Sequence, residues 1–179
     1  MPLTALPTAA DMRCLADWQA IAPGFGRDSH VFERRIQPIL QQLEKLDTTR
    51  DIWMMESGGN SAHVCAFVRS KSSKHPASNG MYVYMSLLAP IAAVARGHAL
   101  VDKKSQSFKT PEPAEVLTLD TAENDWERAV ITAIERGGFE LLTPQQAMTP
   151  LPAGVVPYEY CLTAEPWDRL FHALFSLSD

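Results

Sequence analysis

The stretch Asp51-Ile52-Trp53-Met54-Met55-Glu56-Ser57-Gly58-Gly59-Asn60-Ser61-Ala62-His63-Val64-Cys65-Ala66-Phe67-Val68-Arg69 decides the fold. Before it, apolar residues recur every three or four positions; within it they recur every second position, which marks helix giving way to sheet. Residues 52–56 and 62–69 predict two strands, and the loop between them, rich in residues that tolerate positive φ, predicts a β-hairpin. In the second strand Ala62, Val64, Ala66 and Val68 fall on one face, expected to be the core side. His63, Cys65, Phe67 and Arg69 fall on the other.

Toward the C-terminus, a basic polar loop over 70–79 leads to a third strand over 81–88, rich in aromatic and β-branched residues. Pro90 ends that strand or confines its continuation to an edge. Residues 96–109 predict one or two short strands, and Pro111 and Pro113 a rigid connection. Toward the N-terminus, Thr8-Ala9-Ala10-Asp11 is a capping box for a helix over 8–21. Gly24 and Gly26 break the chain, and Asp28 or Ser29 caps a second helix with Phe32, Ile36, Ile39, Leu40, Leu43 and Leu46 along one stripe. Pro38 cannot donate to the Arg34 carbonyl, so the helix kinks there or truly starts at Gln37.

In the second half, Thr121 caps a helix running to Arg136 that Gly137-Gly138 stops. A short buried strand over 139–142 follows, then a helical turn opened by Thr143-Pro144, a strand over 155–163 and a last helix from Pro166. The expected fold is α+β: a mainly antiparallel sheet with helices packed on one face, two N-terminal helices and a C-terminal helix. One domain over 1–179 is expected, with 1–8 a loose tail; a chain of this size buries roughly 70% of its unfolded surface without staples.

Composition narrows function by exclusion. The three cysteines, Cys14, Cys65 and Cys161, are widely spaced among apolar neighbours and read as reduced small hydrophobes. No stretch approaches the roughly 18 apolar residues of a membrane span, and residues 1–7 lack a signal-peptide pattern, so a cytoplasmic location is expected. The formal charge of −5 is uneven: residues 1–109 carry a net +4 and residues 110–179 a net −9. Most of the acid lies in one window, where Glu112, Glu115, Asp120, Glu123, Asp125 and Glu127 occur without a base. Such a face repels nucleic acid and steers a basic partner toward it. The plainer reading is a solvated helix start, where acids meet the positive end of the helix dipole.

No catalytic or cofactor motif emerges. His63 and Cys65, two apart on one strand, are the best local nucleophile–base pair, yet nothing nearby would lower the thiol pKa. The five histidines, His30, His63, His75, His98 and His172, show no metal-ligand spacing. Gly24-Phe25-Gly26 before a helix is a weak anion-loop match that lacks a preceding strand and third glycine. Arg69, Lys71, Lys74, Lys103, Lys104 and Lys109 with Tyr82, Tyr84 and Phe108 suggest a stacking platform for nucleic acid, against which the low pI and the acidic C-terminal half argue. Trp53, Met54, Met55, Met81 and Met85 read as core filler or as an adaptable peptide groove.

Three segments carry a family likeness: Tyr82-Val83-Tyr84-Met85-Ser86-Leu87-Leu88-Ala89-Pro90, the unit ending Gly137-Gly138-Phe139-Glu140-Leu141-Leu142, and Trp167-Asp168-Arg169-Leu170-Phe171-His172-Ala173-Leu174-Phe175-Ser176. With them, the chain resembles small bacterial immunity proteins encoded beside polymorphic or contact-delivered toxins. The resemblance implies a protein without catalytic residues or cofactor that neutralises a cognate toxin by direct binding, and it transfers no site residue. The acidic window is then the expected docking segment for a basic toxin. An effector-loading chaperone or adaptor, or an enzyme of unrecognised class, are the alternatives.

Overall fold

A computed structural model describes residues 6–56, 58–59, 61–72, 77–101, 106–108, 111–157 and 165–176. The hairpin forms as its sequence dictates: β1 (Thr49–Glu56) pairs antiparallel with β2 (His63–Ser70), with Ile52 opposite Val68 and Trp53 opposite Phe67. The meander continues into β3 (Ala77–Ser86) and β4 (Ile91–Val101), then β5 (Gln106–Phe108), giving the order β1-β2-β3-β4-β5. β4 starts directly after Pro90, so the apolar run Leu87 to Ala95 divides into a turn and a central strand, earlier than the sequence suggested. A short strand, β6 (Glu140–Leu141), pairs parallel with the start of β4.

Flanking elements follow local chemistry. α1 (Ala9–Ala16) begins at the Thr8 capping box. α2 (Gln37–Glu44) starts at Gln37, preceded by a π-helical turn over Phe32–Ile36. There the Gln37 N–H donates to the Phe32 carbonyl, which accommodates the donor that Pro38 lacks. α3 (Asp125–Arg136) is capped by Asn124, whose side chain accepts from the Glu127 N–H; Thr121 instead closes a separate 3₁₀ turn, Leu119–Thr121. α4 (Pro144–Ala147) carries the Thr143 capping box. The last helix, α5 (Leu170–Leu174), begins four residues after Pro166, because the Arg169 backbone first bridges to Pro150. Residues 155–157 form no strand, and the rest of the strand expected over 155–163 lies outside the described residues, as does Cys161.

The α+β class and the mainly antiparallel sheet are as expected, but the helices divide between both faces. Ile36, Ile39, Leu40 and Leu43 of the second helical segment and Val130, Ile131 and Ile134 of α3 pack on Val64, Ala66, Val68, Met81, Val83 and Val94. On the other face Met12 and Leu15 of α1 and Leu170, Phe171 and Leu174 of α5 pack on Cys65, Phe67, Tyr82 and Tyr84. The reason is visible in β2, where His63, Cys65 and Phe67 are as deeply buried as their alternating neighbours. Aromatic residues in the second set made that face as apolar as the first. The N-terminal segment also differs from a loose tail: Pro7 is buried, and Leu6 and Pro7 lie beside Ile91 and Leu142.

Two glycines set the sheet's packing. Gly80 and Gly97 face each other across β3 and β4, and the rings of Phe67 and Tyr82, 4.9 Å apart, lie over them. A Cβ on Gly97 would meet the Tyr82 ring at 2.2 Å, so the ring occupies the space a side chain would need.

Candidate functional site

The acidic window fills a gap in the sheet edge. β4 pairs with β6 at its start and β5 at its end, and between them Val116 bridges to Ala95 while the Leu117 N–H donates to the Val94 carbonyl at 2.6 Å. Pro111, Pro113, Val116, Leu117 and Ala122 turn inward and are buried. Their intervening acids Glu112, Glu115 and Asp120 are left outside. Glu112 and Glu115 cap each other around the 3₁₀ turn Pro113–Glu115, with the Glu112 N–H donating to Glu115 Oε2 at 2.8 Å.

The remaining three acids separate. The Glu123 side chain is 74% exposed, with Arg96 Nη1 3.3 Å away. Asp125 is fully exposed and pairs with Arg128 one turn on, at 3.1 Å. Glu127 does not belong with them: its side chain is 6% exposed and accepts from Arg96 Nε at 2.8 Å, Arg96 Nη2 at 2.9 Å and the Glu123 N–H at 2.7 Å. The Arg96 guanidinium holds the Glu127 carboxyl below its ordinary range. Glu127 therefore anchors α3 to β4, and its burial takes it out of the exposed acidic segment in which the sequence placed it as a docking residue.

Glu112 at one end of this exposed acidic segment lines a cavity of about 230 Å³ beside α4 and α5. Pro113, Met148 and Pro166 give it an apolar lining, while Glu112, Glu165 and Asp168 supply three carboxylates. Arg169 also lines it and pairs with Asp168 at 3.1 Å, leaving a negative balance. His172 at its base accepts from the Arg169 N–H at 3.2 Å, and burial pushes its pKa down to about 4, so it adds no positive charge near neutrality. Sequence reading missed Met148, Glu165 and Asp168, which lie some 30 to 55 positions from Glu112 and carry no local motif tying them to it.

The other candidates are structural. His63 is fully buried, its ring 5.8 Å from Tyr84 and 5.7 Å from Phe175, and neither ring nitrogen meets hydrogen-bond geometry. Burial, opposed in part by the Ser176 backbone, pushes its pKa down to about 4. Cys65 beside it is equally enclosed, so the pair has no route to a substrate. Tyr82 and Tyr84 are buried and cannot stack bases; burial raises Tyr82 to about 12 and Tyr84 well above its ordinary value. Met81 and Met85 fill the core instead of lining a groove. Among the described residues no cluster of three metal-ligating side chains exists, and no helix is long and apolar enough to cross a membrane. No family model matches the chain, and no curated protein or solved structure matches it either.

Proposed function

We propose that the chain is a non-catalytic protein-binding domain, most concretely an immunity protein that neutralises a cognate toxin carrying a basic surface. The observation that carries this reading is that exposed Glu112, hydrogen-bonded through its N–H to the neighbouring Glu115 carboxylate, lines the same cavity as Glu165 and Asp168. A long cationic side chain fits such a cavity in two parts. Its methylene stem lies against Met148, Pro113 and Pro166, and its charged head meets the carboxylates at the rim. The exposed acids accelerate encounter, while the desolvated cavity contact slows release. Burial of Tyr82, Tyr84, Met81 and Met85 speaks against the chaperone reading, which needs those side chains on a surface.

The test is stopped-flow association with the purified product of the neighbouring gene, comparing the parent with Glu112→Lys/Glu115→Lys/Glu165→Lys. All three residues are exposed, so folding should be retained. Association at low salt should slow by about tenfold or more, with a flatter salt dependence. An association rate equal to the parent's at low salt would remove this surface from the interface.

A further inference from the structure

A second cavity, of about 430 Å³, lies on the opposite side of the charge balance and has no part in the reading above. It opens beside the π-helical turn Phe32–Ile36. Arg34, Arg35 and His30 line it, and no carboxylate does. Glu33, on the same turn, pairs with His30 at 3.6 Å but is not part of the lining. Neither Arg34 nor Arg35 makes a salt bridge among the described residues. Two guanidiniums with no carboxylate in the cavity wall give it a positive local field in a chain of net charge −5.

The backbone around the cavity is shaped to hold them. His30 has φ of 55° and Gly24 of 75°, left-handed conformations that the Ser29 hydroxyl braces by donating to the Gly26 carbonyl at 2.6 Å. The Arg35 guanidinium lies 4.9 Å from the Phe25 ring centroid, which fixes its plane while leaving its edge donors available. Gly137, at the end of α3, closes one wall: a Cβ there would meet Ile39 at 2.3 Å. Val31 and Ile39, both buried, and Pro38 give an apolar floor.

We infer that this cavity binds a small phosphomonoester, its phosphoryl group held by Arg34 and Arg35 and its organic part resting on the floor of Val31, Pro38 and Ile39. A pair of guanidinium forks matches a dianion better than a single carboxylate, and a phosphomonoester carries about −1.5 to −2 near neutral pH. The volume falls within the range of small-molecule sites, roughly 300–1,000 Å³.

Phenyl phosphate and inorganic phosphate, titrated into the full chain by calorimetry and followed by methyl NMR of Val31 and Ile39, test the assignment. Phenyl phosphate should bind with Kd below about 1 mM and shift those methyls, and inorganic phosphate should bind about tenfold more weakly. Arg34→Gln/Arg35→Gln should lower phenyl phosphate affinity at least about tenfold, with the ligand-free Tm down by no more than about 3 °C from loss of the exposed Arg35–Phe25 contact. Absence of heat and shift at about 10 mM phenyl phosphate, or equal affinity in the variant, would overturn the site. Equal affinity for the two probes would overturn the organic ester.

Discussion

Replacing Glu127 by Ala separates the anchoring role of this residue from a docking role. The carboxylate receives three hydrogen bonds, two from Arg96 and one from the Glu123 N–H, at 2.7 to 2.9 Å. Breaking a fully buried ion pair costs roughly 3–5 kcal/mol, because the surviving charge is stranded. Here the Arg96 side chain is 39% exposed and keeps the Thr121 carbonyl and Glu123, so it can rehydrate once its partner is gone. The expected loss is therefore smaller, about 2–3 kcal/mol, which in a chain of this length lowers Tm by about 5–10 °C. Urea and thermal unfolding at pH 7 measure it. The sign with pH is fixed as well. Arg96 holds the folded-state pKa of Glu127 below its unfolded value, so the stabilisation is present above the ordinary carboxylate range and disappears as pH falls through the folded value. Parent and variant should converge in acid. A Glu127→Ala protein within about 0.5 kcal/mol of the parent, or one that loses partner binding at unchanged stability, would refute the anchoring argument.

Two further perturbations probe the sheet's second face. Burial lowers His63 to about 4 from an ordinary 6.5, so the unfolded chain binds the proton first and stability falls as pH drops through 6.5 toward 4. At pH 4.5 this residue alone should cost roughly 2–3 kcal/mol relative to pH 7.5, and His63→Phe should show a correspondingly shallower loss in urea midpoints across that window. Gly97→Ala should destabilise by about 1–3 kcal/mol, because its Cβ would meet the Tyr82 ring. Tyr82→Leu in the same chain should recover part of that cost in a double-mutant cycle, and strictly additive effects would show that the ring is not the obstacle.

What the sequence disclosed and what it withheld divide along a physical line. Signals that act within four residues were legible: the Thr8 capping box, the turn opened by Thr143-Pro144, the break at Pro38 resolved as a start of α2 at Gln37 and not a kink, and the stop at Gly137. The hairpin was legible too, since a period of two and a loop of permissive residues are local properties. The second helical layer was not, because alternation in β2 ranks one face above another only when the second is polar. His63, Cys65 and Phe67 occupy that second face and are as buried as Val64 and Ala66. Which acids of the window stay exposed was hidden for the related reason that sequence shows charge but not its partner. Glu123 and Glu127 stand four apart, the first just ahead of α3 and the second in its first turn, yet Arg96, some 30 residues earlier on β4, leaves the first exposed and takes the second into the interior. A surface acid and an interior acid are the same letter until the strand carrying the cation is placed. The acidic cavity needs three such placements, since Glu112, Met148 and Glu165 meet only where α4 and α5 pack beside the edge-filling segment. Charge segregation along the chain thus locates the half that carries the exposed acids, while which acids stay exposed belonged to the tertiary structure.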